Sequence, residues 1–143
     1  GMVKFVHSVE INDENFAFAT ENCKDVPNVG IYKGSSESVL KAILEKVNLN
    51  DKFLIFLDAH WLDYNPLRDE LKVIKEAGIK PCIAIHDFKV PENASLGYDS
   101  YKGQDYDLAW IQDLLIDIYG PDFKYYYNKD AVGAKRGVIF INC

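Results

Sequence analysis

Two runs of consecutive apolar residues, Phe53–Leu57 and Cys82–Ile85, narrow the folds open to this chain more than any other feature. A strand with one wet face alternates apolar and polar residues, whereas an unbroken apolar run of this length suits a strand covered on both faces, as in a parallel sheet flanked by helices. Both runs stop abruptly in polar chemistry, at Asp58 and at His86-Asp87. Between them Asn65-Pro66 predicts a helix start with proline at the first helical position. Leu67, Leu71, Ile74 and Ala77 supply its apolar stripe, and Gly78 its end.

The same strand-then-helix order precedes these runs. Val3–Val9 reads as a strand ending at Glu10, and Asn12 or Asp13 caps a helix reaching about Cys23. Val29–Tyr32 reads as the next strand. Gly34-Ser35-Ser36 follows, with a serine to cap a helix whose buried face is Val39, Leu40, Ile43, Leu44 and Val47. Phe88–Asp107 has no clear period and holds Tyr98, Tyr101 and Tyr106; loops of that length in small domains are usually lids or binding segments. A helix over Leu108–Tyr119 and a strand pair, Phe123–Asn128 and Gly137–Asn142 across Gly133, complete the pattern. The expected architecture is α/β, one domain over 2–143: a three-layer, mostly parallel sheet with helices on both faces and a C-terminal antiparallel hairpin. Gly1 reads as a cloning remnant and is left out of this pattern.

With 143 residues, 48% apolar and 27% charged, the chain suits one ordinary globular domain. The net charge of −6 with scattered lysines argues against a nucleic-acid partner. No run approaches the roughly 18 apolar residues needed to span a bilayer, so no membrane partner is expected. Cys23, Cys82 and Cys143 are odd in number and far apart in sequence, which argues against a disulfide framework and for a reducing, cytoplasmic setting.

Open parallel sheets bind ligands beyond the carboxyl ends of their strands, and there this chain concentrates its polar groups. Glu10 follows the first strand and can hold the hydroxyls of a ribose or cap the next helix. Asp58 and His60, two apart after a buried strand, can ligate a metal or serve as base. His86-Asp87 forms either a general-base pair or a loop cap. Asp58, His60, His86 and Asp87 are therefore the candidate catalytic residues, and Asp58, His60 and Asp87 the candidate ligands of a divalent metal. The loop tyrosines either close over a substrate or pack against the domain edge with their hydroxyls wet, and at least one of Tyr125, Tyr126 and Tyr127 belongs in the core.

Val9-Glu10-Ile11, Gly34-Ser35-Ser36, Phe56-Leu57-Asp58-Ala59-His60 and Ile85-His86-Asp87-Phe88, in that order and spacing, resemble the post-strand motifs of class I, Rossmann-like S-adenosylmethionine-dependent methyltransferases. The resemblance implies cofactor contacts at Glu10 (ribose), at Gly34 and Ser35 (near the adenine), and at Asp58 (the methionine part or the methyl acceptor, in some members with a divalent metal). It implies methyl transfer to a small, hydroxyl-bearing molecule, with His60 or His86 as base. Members of that family begin with a strand and a glycine-rich turn that are missing here, so binding of S-adenosylmethionine is expected to be weak or absent. The strands ending at Glu10 and Asp58 would flank the missing one. They are expected either to pair directly or to be covered by a second copy in a homodimer. Two other functions compete: a non-catalytic remnant or gene fragment that serves in association, and a metal-dependent hydrolase built on the Asp58, His60, His86 and Asp87 groups.

Overall fold

The computed structural model describes residues 3–60 and 63–143. Gly1, Met2, Trp61 and Leu62 lie outside the described residues. The chain divides into two compact units, Gly1–Asn48 and Leu49–Cys143.

The first unit runs β1 (Val6–Glu10), α1 (Asp13–Cys23), β2 (Val29–Lys33), α2 (Ser36–Leu44). Asn12 starts α1, its Oδ1 accepting the N–H groups of Glu14 and Asn15, which would otherwise be orphaned at a helix start. Ser35 takes the N-cap backbone conformation of α2, but its hydroxyl makes no capping bond. β1 and β2 form a two-stranded parallel sheet, Val6 opposite Val29 and Glu10 opposite Lys33. Among the described residues of this unit only Leu44 is a buried apolar residue.

The second unit runs β3 (Leu54–Leu57), α3 (Leu67–Glu76), β4 (Cys82–His86), β5 (Ser100–Tyr101), β6 (Gln104–Asp105), α4 (Leu108–Tyr119), β7 (Tyr125–Asn128), β8 (Val138–Ile141). Its main sheet has the order β3-β4-β8-β7. The β3–β4 pair is parallel, and β8 joins β4 and β7 antiparallel, so the closing hairpin is present. Asn65 Oδ1 accepts the N–H of Leu67 at the start of α3, with Pro66 one residue before the first helical position expected of it. Asp107 caps α4 by accepting the N–H of Trp110. Ile83, Ile85, Ile139 and Ile141 are at most 1% exposed, alternate along β4 and β8, and meet Leu71, Ile74, Ile111 and Leu115 of the two helices in one core.

The molecule is thus mixed α/β with small, mixed sheets, and three expectations are corrected. The unbroken apolar run of β3 is not buried on both faces: Leu54 is 71% and Phe56 59% exposed. β3 is an edge strand, and its exposed Leu54 and Phe56 alternate with the more buried Ile55 and Leu57. The strands ending at Glu10 and Asp58 do not pair directly, since β1 and β3 belong to different sheets. The cysteines are not all free: Cys82 and Cys143 form a disulfide, and Cys23 alone is unpaired. Their separation in sequence hid a proximity that the antiparallel β4–β8 register creates, with Ile83 opposite Ile141 bringing the two Cα atoms to 4.7 Å. Among the described residues no helix is long and apolar enough to cross a membrane.

Candidate functional site

Register decides which side chains meet at the carboxyl ends of β3 and β4. Leu57 lies opposite Ile85, which brings Asp58, the next residue, beside His86. His86 lies opposite Val138, which brings Asp87 beside Gly137 at the start of β8. Gly137 is required there, because a Cβ would collide with the carbonyl oxygen of Phe88. Phe88 N–H donates to Gly137 O, and Gly137 N–H donates to Gly97 O, fixing the approach. Asp87 itself has φ +55°, a left-handed conformation that aspartate tolerates better than most residues.

The result is a compact polar cluster. His86 Nδ1 is 3.1 Å from Asp58 Oδ1 and 3.3 Å from Asp87 Oδ1. Its ring packs against Phe56, centroid to centroid 6.1 Å. Ligand atoms of Asp58, His60 and Asp87 all lie within 4.8 Å of one another. Asp87 is buried, while Asp58 and His60 are exposed. Arg136 binds Asp87 through Nε and Asp99 through Nη2. The hydrogen bond to Asp87 holds its guanidinium pKa above the ordinary arginine value. Asp99 also accepts the Tyr101 hydroxyl, and burial, chiefly, pushes that phenol up to about 12.

Asp58, His60, His86 and Asp87 border a recess of about 220 Å³, in which the room open to a water-sized body is about that of one water. Glu70, from the first turn of α3, and Tyr106 complete its polar lining. A wider groove of about 700 Å³ along Arg68, Trp110 and Asp113 gathers no imidazole, and its Arg68 is already committed to Asp113 in a two-pronged ion pair.

The structure therefore brings together Asp58, His60, His86 and Asp87. Glu10, Gly34 and Ser35 stand in the other unit. There Glu10 Oε1 accepts the backbone N–H of Asn12, the local turn-closing role that competes with ribose binding, and Gly34 has φ +146°. Among the loop tyrosines Tyr98 is 38% exposed, whereas Tyr106 is 5% exposed, so its hydroxyl is not wet.

Glu70, Arg136 and Asp99 escaped sequence reading. Glu70 did carry a signal: it falls on the same helical face as Leu67, Leu71 and Ile74, and a carboxylate within a buried stripe calls for a partner or a ligand. Arg136 and Asp99 carried none, since their role exists only once β8 and the long loop close around Asp87.

Two carboxylates and an imidazole spanning 4.8 Å fit one cation, because metal–oxygen bonds of about 2.0–2.6 Å place donors on opposite sides of an ion about twice that distance apart. Hard oxygen donors combined with one imidazole suit Mn²⁺ or Mg²⁺ better than a thiophilic ion. Comparison with known proteins finds neither a family model nor a curated protein that matches this chain.

Proposed function

We propose that the Leu49–Cys143 unit binds a divalent cation through Asp58, His60 and Asp87, and that the chain uses it in methyl transfer to a small, hydroxyl-bearing molecule. The convergence of these three groups at the ends of two adjacent parallel strands is the observation that carries the cation site. The order of the post-strand motifs supports methyl transfer, with S-adenosylmethionine as donor. The cation would supply polarisation of the acceptor oxygen. In methyl transfer that oxygen takes the methyl group as the sulfonium carbon–sulfur bond breaks, and it gives up its proton to a base. His86 is positioned to be that base: with Nδ1 donating to Asp58, its lone pair lies on Nε2.

A second reading, a metal-dependent hydrolase, draws on the size of the recess, which has room for about one water beside the cluster. A bound cation would make that water a nucleophile near neutral pH. Calorimetric titration with Mn²⁺ and then with S-adenosylmethionine separates the readings. Binding of both, with weak cofactor affinity, supports methyl transfer; Mn²⁺ binding alone favours hydrolysis. Binding of neither leaves an association role, and for the homodimer once expected the free edge of β3 is the pairing site, which light scattering tests.

A further inference from the structure

Tyr106 is 5% exposed, lines the recess beside Asp58, His60 and Asp87, and has a hydroxyl with no hydrogen-bond partner among the described residues. A buried phenol without a partner is uncommon, because leaving water without a replacement bond is unfavourable. The ring cannot swing out to find one. It is stacked on Trp110 at 5.3 Å and packed against Tyr101 at 5.5 Å. Its backbone is pinned on both sides, Tyr106 N–H donating to Asp99 O and Lys89 N–H donating to Tyr106 O.

Asn65 does not supply that partner. Its Oδ1 accepts the Leu67 N–H, which settles the orientation of the amide and turns only donor N–H groups of Nδ2 outward. The amide is directed toward the phenol oxygen and opposes part of the upward push that burial gives Tyr106, so the phenol proton still lacks an acceptor. One fixed donor without an acceptor thus lines the same recess as Asp58, His60 and Asp87, the candidate cation ligands. An oxygen bound to a cation keeps a lone pair that can accept from it, and it accepts more strongly once deprotonated.

We propose that Tyr106 is a positioning residue whose hydroxyl holds one oxygen ligand of the cation, either water or the hydroxyl oxygen of the substrate, and favours its deprotonated form. This rests on the cation site proposed above. A donor directed at such an oxygen acts as an oxyanion-hole donor does, and its placement is set by the fold before any ligand enters.

The test is Mn²⁺ binding, followed by electron paramagnetic resonance and water-proton relaxation, on the wild-type chain, Tyr106→Phe and, as control, Tyr101→Phe. Tyr106→Phe is expected to melt no lower than wild type in metal-free buffer, since the hydroxyl it removes has no partner there, and to bind Mn²⁺ at least about tenfold more weakly. Tyr101→Phe, which loses only a bond to Asp99, is expected to keep wild-type affinity. In the wild type, a drop in relaxation enhancement on adding ethylene glycol identifies the position as one for a substrate oxygen, and an unchanged enhancement identifies a held water. Equal Mn²⁺ affinity of Tyr106→Phe and wild type, or a marked fall in its metal-free melting temperature, overturns the inference and leaves the cation site standing. Absence of Mn²⁺ binding by the wild type overturns both.

Discussion

His86 Nδ1 sits 3.1 Å from a carboxylate oxygen of Asp58, so a single imidazole ties the end of β3 to the end of β4. That contact sets the base and the candidate cation ligands side by side without making His86 itself a ligand. Substitutions should therefore divide the cluster. Asp58→Asn and Asp87→Asn are each expected to weaken Mn²⁺ binding at least about tenfold, as loss of a charged ligand should exceed the loss of an outer partner. His86→Gln is expected to change it far less. Calorimetry on the three variants checks this, and an equal loss in His86→Gln would place His86 among the ligands.

Tyr101 gives a pH signature. Its phenol pKa is raised from 10.0 to about 12, first by burial and then by the hydrogen bond to Asp99. The folded chain holds this proton more tightly than the unfolded chain, so the associated stability is complete below about pH 10 and is lost as pH rises toward 12. Thermal melts across that window should show a decline that is shallower in Tyr101→Phe. Absorbance titration of the phenolates should keep its early phase in that variant, since more exposed tyrosines ionise first.

The two faces of the main sheet should respond oppositely to substitution. Phe56 is 59% exposed and Ile83 0%. Phe56→Thr is expected to change stability by no more than about 0.5 kcal/mol, as at other exposed positions. Ile83→Ala removes buried methyl groups and leaves a cavity, at a cost of about 2–5 kcal/mol. Urea denaturation measures both, and a large loss in Phe56→Thr would show that the open face is covered in solution.

Cys82 and Cys143 close a loop with a sequence separation of 61. A link of that span restricts the unfolded chain and is expected to add about 2–4 kcal/mol. Non-reducing peptide mapping should find these two joined and Cys23 free to alkylate. Dithiothreitol or Cys143→Ser should lower the unfolding midpoint by the corresponding amount, and an unshifted midpoint would count against the bond.

The reach of the sequence is visible in particular residues. The helix over Leu108–Tyr119 appears where the sequence puts it, because 3.6-residue apolar periodicity is a local property of the chain; the Asp107 cap is added by the structure. Asp58, His60, His86 and Asp87 were legible as candidates because each follows an apolar strand, and strand ends are readable one strand at a time. Which strands become neighbours is decided at long range. The β3–β4 register put Asp58 against His86, and the β4–β8 register joined Cys82 to Cys143 and delivered Arg136 to Asp87. Coverage is likewise a tertiary property: Leu54-Ile55-Phe56-Leu57 reads as apolar throughout, yet Leu54 and Phe56 are exposed and Leu57 is buried, because alternate side chains of a strand point to opposite faces of its sheet. Local preference set the elements and the chemistry at their tips; pairing between distant segments decided which of those tips share a site.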